Sequence, residues 1–204
     1  MLRKLITSFL FAMLGTQALA APITRDFDEF ASPPVTCCFN TTGVGGAIIY
    51  PDLTVSSGAN GKVMNSTGWS NMQTSGSNLY GTLDSFINFS FAGPVSGLNF
   101  DLINGTSAFN FKVEYFDSAM NLLASNMLFL NPFAQAGSVG HLIAGVNAIS
   151  FVKITGNTDF AVDTINFETG DGSTSVPEPG SIALLGLGAL AMLRGRRART
   201  TTRR

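Results

Sequence analysis

The fold is predicted from two short segments of the sequence, Leu98-Asn-Phe-Asp-Leu102 and Phe109-Asn-Phe-Lys-Val-Glu-Tyr115. Apolar and polar side chains alternate along both segments, which is the pattern of a β-strand with one buried and one solvated face. Asn104-Gly105 lies between the segments and favours a turn. The sequence therefore predicts two strands joined by a turn, each with one apolar and one polar face.

Similar strand patterns recur on both sides of this pair. They predict further strands at residues 23–30, 47–50, 86–91, 121–130, 148–154 and 160–167. Residues 51–78 are rich in Gly, Asn and Ser and predict a long loop region with one or two short strands. Strands at this spacing, separated by turns, predict a β-sandwich. The residues that the alternation assigns to its core include Phe100, Phe111, Val113 and Phe151.

The first 20 residues have the pattern of a secretory signal peptide. Arg3 and Lys4 precede a mostly apolar stretch at residues 5–14, and Ala18-Leu-Ala20 has the small residues of a cleavage site. We expect export by the Sec machinery, removal of residues 1–20 by signal peptidase, and a mature chain that begins at Ala21. An uncleaved anchor is the alternative.

The last 30 residues combine three physical zones. Val176, Pro177, Glu178 and Pro179 form an extended segment, because proline fixes φ and lacks a backbone donor. The apolar run at residues 182–193 follows and can form a membrane helix. Such a helix satisfies its own backbone hydrogen bonds in lipid. The third zone is a group of basic residues that would anchor the far end in the cytoplasm: Arg194, Arg196, Arg197 and Arg199.

This carboxyl-terminal pattern resembles the PEP-CTERM sorting signal of bacterial proteins. The resemblance implies recognition by an exosortase, a membrane-embedded transpeptidase-like enzyme, and cleavage near Pro177-Glu-Pro179. It also implies a place in the envelope or extracellular polysaccharide of a biofilm-forming Gram-negative bacterium. The apolar run has 12 residues, whereas a spanning helix normally needs about 20, so a core helix or an interfacial segment is the alternative.

The charge of the chain is distributed unevenly. The formal net charge is −1, but most basic residues lie at the two ends. Between them, four basic residues (Arg25, Lys62, Lys112 and Lys153) stand against all 13 acidic ones, which gives a net charge near −9. Such an acidic segment without a basic patch excludes nucleic acid as a partner. It is compatible with cations or with neutral polymers such as polysaccharide.

The second half of the chain also resembles the jelly-roll or galactose-binding-like sandwiches of PEP-CTERM proteins. The segments that carry this resemblance are residues 95–102, 111–117 and 160–167. The predicted fold is therefore all-β: a jelly-roll-like β-sandwich at residues 21–172. A signal-peptide helix precedes it at residues 1–20, and a linker with a transmembrane sorting helix follows at residues 173–204.

Asp163 is the polar position that most needs an explanation. The alternation places it on one face with Ile165 and Phe167, where an unpaired carboxylate is unfavourable. One hypothesis is a Ca²⁺ site that Asp163 forms with acidic residues of the first predicted strand: Asp26, Asp28 and Glu29. The alternatives are a bulge that turns Asp163 outward and a hydrogen bond to a nearby loop.

Aromatic residues of the loop region could bind sugar, since a ring offers an apolar face with a polar tip. Trp69 and Tyr80 are the candidates, and packing in the core is the alternative. His141 is the single histidine and is predicted to lie in an exposed loop. Without a second histidine, neither a serine-protease triad nor a zinc site is easily assembled.

Carboxylates for glycoside cleavage remain conceivable at Asp101, Glu114 and Asp117. The adjacent Cys37 and Cys38 could be free thiols, a strained bridge or an intermolecular bond. The expected function is that of an exported structural or adhesive protein without catalysis. A carbohydrate-binding module is the alternative, and a secreted glycan-active enzyme comes third.

Overall fold

The computed structural model describes residues 21–31, 43–69 and 72–169, and these residues form an all-β fold. The described ranges contain one short 3-10 helix at Ser66–Trp69. Their strands are β1 Ile23–Arg25, β2 Ile48–Ile49, β3 Leu53–Ser56, β4 Lys62–Asn65, β5 Asn78–Thr82, β6 Phe86–Asn104, β7 Phe109–Phe116, β8 Leu122–Leu130, β9 Val139–Ile143, β10 Ile149–Thr155 and β11 Phe160–Thr169. None of the described segments is a helix long and apolar enough to cross a membrane.

Contacts divide the chain into two compact units, residues 1–170 and residues 171–204. The strands belong to the first unit, and the second unit lies outside the described residues. The predicted signal helix and sorting helix also lie outside them, as do Cys37 and Cys38.

Strand β6 is 19 residues long. It links the eleven strands into one hydrogen-bonded network with two layers, which we call the front and back sheets. Its first half, residues 86–91, lies between β10 and β3. Its second half pairs with β11 over residues 95–104 and with β9 over residues 99–103. The front sheet has the order β2-β3-β6-β10-β7-β8, and the back sheet has the order β9-β6-β11-β5-β4, with β1 beside the end of β11.

The two sheets pack face to face through apolar side chains, and aromatic pairs mark the contact. The rings of Phe111 in β7 and Phe160 in β11 have centroids 5.3 Å apart. Phe89 and Phe100, from the two halves of β6, are 5.1 Å apart and edge-to-face. Edge-to-face and tilted pairs at this distance are favourable. The predicted β-sandwich is therefore confirmed.

The predicted core is confirmed except at one residue. Phe100, Phe111 and Val113 are buried, whereas Phe151 is half-buried on the outer face of the front sheet. The pairing of β10 with β6 shifts in register between Ile149 and Phe151. This shift changes the phase of the alternation, so that Ile149 instead of Phe151 belongs to the core.

Three element predictions differ from the structure. Residues 86–91 and 98–102 belong to one continuous strand rather than to two. The first predicted strand ends at Arg25, and residues 27–30 form turns and bends. Strand β9, which contains His141, was predicted as a loop, because its sequence Val-Gly-His-Leu-Ile does not alternate cleanly.

Candidate functional site: a groove on the outer face of the front sheet

The outer face of the front sheet carries both aromatic and polar side chains. Directly opposite residues of antiparallel strands share a face, so the register gives the rows of this surface. One row contains Asn88, Lys153 and Glu114. The neighbouring row contains Ser90, Phe151 and Phe116. Rings and hydrogen-bonding groups therefore lie in adjacent rows of one surface.

Two hollows lie on this face. The first, which we call the basic hollow, has a volume of ≈ 450 Å³ and is lined by Phe86, Asn88, Phe116, Met120, Phe151 and Lys153. Its Phe116 and Phe151 rings are tilted by 51° with centroids 6.0 Å apart. Because these rings are half-buried, part of each faces the hollow.

The second hollow adjoins the first and has a volume of ≈ 370 Å³. We call it the hydroxyl hollow, because its polar lining includes Ser90, Ser118 and Ser150, together with Asp117. Met120 and Phe151 line both hollows. The two hollows therefore adjoin, and together we call them the outer groove.

The basic hollow carries one cation that no carboxylate neutralises. Lys112 and Glu114 lie beside the hollow and form an ion pair, with Nζ and Oε1 2.6 Å apart. Lys153 lies opposite Glu114 in the register, is exposed, and has no hydrogen bond or ion pair with another described side chain. Its ammonium group is thus free to donate to a ligand.

The carboxylate of the hydroxyl hollow already has a structural role. Asp117 Oδ1 accepts hydrogen bonds from the backbone N–H groups of Ala119 (2.9 Å) and Asn121 (2.8 Å). Its Oδ2 accepts one from Asn121 Nδ2 at 2.9 Å. These bonds lower the pKa of Asp117, with the Asn121 side chain as the largest cause. Asp117 therefore stabilises the β7–β8 turn, and it does so as the charged carboxylate.

Two polar atoms at the groove have no hydrogen-bond partner and are shielded from solvent, namely Asn88 Oδ1 and Ser150 Oγ. A buried polar atom without a partner costs about 1–3 kcal/mol. Because solvent does not reach these two atoms, a ligand in the groove would not contact them without a local rearrangement.

The aromatic residues predicted to bind sugar are buried instead. Trp69 is 3% exposed and packs on the outer face of the back sheet in a second cluster with Met64, Leu79, Ile103 and Ala161. Tyr80 is fully buried and stacks against Phe27 at 5.9 Å, and its hydroxyl donates to the Gly46 carbonyl at 2.9 Å. Neither ring faces solvent, so the predicted ligand site at Trp69 and Tyr80 is wrong.

Asp163 is fully buried, and a loop satisfies its carboxylate. The backbone N–H groups of Thr74 (2.8 Å), Ser75 (3.1 Å) and Thr164 (2.7 Å) donate to it. The hydroxyls of Ser75 and Thr74 add two further bonds, at 3.1 and 3.2 Å. Burial raises the pKa of Asp163, and these donors oppose that shift. Both alternatives describe Asp163. The pairing of β11 with β6 shifts in register between Asp163 and Asn166, where Thr164 has φ 48°. Contrary to the alternation, Asp163 therefore does not share the face of Ile165 and Phe167. The loop then supplies the hydrogen bonds.

The acidic residues of the first predicted strand do not join Asp163 in a cluster. Asp28 Oδ1 accepts hydrogen bonds from the N–H groups of Ser77 (2.8 Å) and Asn78 (2.9 Å), in the same loop that binds Asp163. Asp26 accepts one from the N–H of Asp28 at 3.2 Å, and Glu29 is exposed. Within the described residues, no three His, Cys, Asp or Glu side chains form a group that could hold a metal ion. The structure therefore does not assemble the predicted Ca²⁺ site.

The carboxylates considered for glycoside cleavage are also separated. Asp101 lies on the back sheet, where its Oδ1 is 2.7 Å from Nδ1 of His141. Glu114 lies on the front sheet in its ion pair with Lys112, and Asp117 is in the β7–β8 turn. His141 is exposed, as predicted, but belongs to strand β9. The three carboxylates therefore do not face one site.

Comparison with known families bears on the end of the chain. The family model described as the PEP-CTERM protein-sorting motif matches residues 175–198. The chain carries a PEP-CTERM sorting motif. This motif implies export, a membrane-anchored precursor and processing by an exosortase. The predicted motif residues Val176, Pro177, Glu178 and Pro179 lie within the match, as do the first three anchoring arginines, and all of them lie outside the described residues.

Solved structures are similar to the body of this PEP-CTERM chain at low sequence identity. A DUF4465 family protein from Bacteroides caccae ATCC 43185 covers 76% of this chain and 95% of its own, with 10% identity and a TM-score of 0.47. A family 6 carbohydrate-binding module covers 72% and 94%, with 10% identity and a TM-score of 0.33. The CBM22-1 xylan-binding domain from Paenibacillus barcinonensis Xyn10C covers 62% and 96%, with 9% identity and a TM-score of 0.34. These similarities concern the fold alone. No curated protein matches the sequence.

Proposed function

We propose that this chain is a structural or adhesive protein of the bacterial surface or extracellular matrix that binds an extracellular polysaccharide through the outer groove. Its setting would be the biofilm of a Gram-negative bacterium. The observation that carries the proposal is the combination of rings and polar groups in one solvent-facing groove. In the alternative function, a carbohydrate-binding module, the same site would serve to target sugar rather than to build a matrix.

The groove offers the two kinds of contact that a sugar needs. The half-buried rings of Phe116 and Phe151 present apolar surface to the C–H face of a pyranose ring. Lys153 and the exposed hydroxyls of Ser90 and Ser118 can hydrogen-bond to sugar hydroxyls. A mostly apolar site with a few placed polar groups is the usual form of a small-molecule site.

The same geometry supports binding without catalysis. Glycoside hydrolysis by the common mechanisms needs two carboxyl groups on opposite sides of the bond, about 5–10 Å apart. Among the described residues that line the outer groove, Asp117 is the one carboxylate, and its oxygens accept the hydrogen bonds that hold its turn. We therefore expect no hydrolysis of a bound polymer.

Replacement of both groove rings tests the binding site. We expect the full chain to be retarded in affinity electrophoresis through gels that contain xylan or polygalacturonate. The Phe116→Ala/Phe151→Ala variant is expected to bind about tenfold more weakly, because each ring contact is worth about 0.5–1.5 kcal/mol and about 1.4 kcal/mol is a factor of ten. Phe129→Ala is the matched control, since this ring is 57% exposed on β8 and does not line the groove. Equal retardation of all three proteins would refute the site.

Processing of the two ends is a separate prediction. We expect the mature surface protein to lack residues 1–20 and the arginine tail, because a signal peptide is removed on export and the sorting motif implies cleavage by an exosortase. Mass spectrometry of the protein isolated from its native host gives both ends directly. Detection of Arg204 on the major surface species would contradict this prediction.

A further inference from the structure

We infer that the outer groove holds at least two consecutive sugar residues of a polysaccharide chain, one in each hollow, and that Met120 is the specificity-determining residue that keeps them apart. This inference rests on the proposed polysaccharide binding and names the class of ligand: an internal stretch of a linear chain rather than a terminal sugar.

Met120 has an unfavourable backbone conformation for its residue type. Its φ is 63°, in the left-handed region that glycine adopts without strain and other residues adopt at a cost. The turn enforces this conformation, because Asp117 N–H donates to the Asn121 carbonyl and Met120 N–H donates to the Asp117 carbonyl, both at 3.0 Å. Glycine would suit this position better, so the backbone does not explain the presence of methionine.

The side chain of Met120 offers the explanation that the backbone does not. It is 57% exposed, so burial in the core does not account for it either. It lines both the basic hollow and the hydroxyl hollow. A thioether side chain is apolar and flexible, and adapts to irregular apolar surfaces. Met120 therefore lies at the border of the two hollows, which also share Phe151.

Each hollow is large enough for a sugar residue. A hexose residue within a chain displaces roughly six liquid waters of about 30 Å³ each, which is less than the volume of either hollow, ≈ 450 or ≈ 370 Å³. A monosaccharide bound in one hollow would leave the other without contact.

The two hollows would treat their sugars differently. In the basic hollow, Phe116 and Lys153 provide stacking and a cation. In the hydroxyl hollow, the exposed Ser90 and Ser118 provide hydroxyl donors and acceptors. Consecutive sugar residues therefore make different contacts with the protein. The affinity is thus expected to depend on the length of the oligosaccharide and not on one sugar alone.

A length series tests this inference on the full chain. The probes are xylose, xylobiose and xylohexaose, and in parallel galacturonic acid with its dimer and hexamer. For the series that binds, isothermal titration calorimetry is expected to give at least about tenfold tighter binding for the dimer than for the monomer. Binding of monomer and hexamer with equal Kd would overturn the inference and leave the proposed function intact. No binding of any probe or of the parent polymers would overturn both.

Met120→Gly separates the role of the side chain from that of the backbone. We expect the melting temperature to rise by about 1–3 °C, because relief of left-handed strain exceeds the entropic cost of glycine. The ratio of the affinity for the dimer to that for the monomer is expected to fall at least about fivefold. Ala134→Gly is the matched control: Ala134 has φ 59° in the β8–β9 loop and does not line the groove. It is expected to raise the melting temperature similarly and to leave binding unchanged. An unaltered length dependence in Met120→Gly would overturn the role of Met120.

Discussion

Replacement of Phe111 by alanine is expected to lower the free energy of unfolding by about 3–5 kcal/mol. Phe111 is fully buried in β7 and contacts Phe160 of the opposite sheet, with centroids 5.3 Å apart. Its ring also packs edge-to-face on Phe109 at 5.4 Å. The alanine variant would leave a cavity between the sheets, because the strands on both sides are fixed by their hydrogen bonds.

Urea denaturation measures this effect as a shift of the midpoint at an unchanged slope. Phe129→Ala provides the control, since Phe129 is on the neighbouring strand and 57% exposed. An exposed substitution of this kind changes the stability by about 0.5 kcal/mol or less. A Phe111→Ala midpoint equal to that of the control would mean that β7 faces the other way.

Replacement of Asp163 by alanine is expected to destabilise the protein by an amount on the order of 3 kcal/mol. The substitution removes an acceptor of five hydrogen bonds and leaves three backbone N–H groups, those of Thr74, Ser75 and Thr164, without it. The loop at residues 72–78 also covers the second apolar cluster, through Met72. Its detachment would expose the side chain of Trp69, so tryptophan fluorescence reports it together with the melting temperature.

Ser75→Ala is the graded control, since it removes one of the five bonds and should cost about 1 kcal/mol. The same melts, repeated with calcium and with a chelator, test the Ca²⁺ hypothesis. Because the loop already satisfies the carboxylate, we expect the four curves of wild type and Asp163→Ala to show no effect of chelator. A calcium-dependent increase in the wild-type melting temperature that Asp163→Ala abolishes would reinstate Asp163 as a metal ligand.

The strands of the second half could be predicted from the sequence because their alternation is local. One short segment contains four apolar residues that share a face, and the structure confirms this segment as β7: Phe109, Phe111, Val113 and Tyr115. The phase of β10 could not be predicted, because the shift near Phe151 depends on the strand that pairs with it. An irregularity in pairing leaves no trace in the sequence of one strand.

The contacts of Asp163 and Trp69 could not be predicted either. Asp163 is 89 residues from Thr74, and Trp69 packs on the outer side of a sheet whose other side forms the main core. The sequence showed that Asp163 needed a partner, and loop donors supplied it instead of an ion. Trp69 was assigned to the surface because its neighbours are small and polar, a composition that does not reveal a second apolar layer.

The sequence contains a pattern that indicates the outer groove, namely aromatic residues on the polar faces of strands, although the overall composition does not reveal it. Phe86 shares its strand face with Asn88 and Ser90, and Phe116 follows the buried Tyr115. An aromatic residue on the polar face of a strand is out of place unless something covers it or binds it. That pattern predicts rings on a solvated face, but only the register of three strands brings Phe86, Phe116 and Phe151 together.

Strand β6 determines how a mechanical force would pass through the protein if a polymer pulled on the outer groove while the carboxyl-terminal end was held. The groove lies on the front sheet, while the chain leaves the body through β11 of the back sheet, toward the sorting motif. Tension applied by a polymer would reach β11 along a covalent strand that belongs to both sheets, rather than across the apolar layer between them. Within the back sheet, β11 is bonded to β6 on one side and to β5 and β1 on the other. Pulling it out lengthwise would break these rows together in shear, so the pairing of β11 with its neighbours resists such a load.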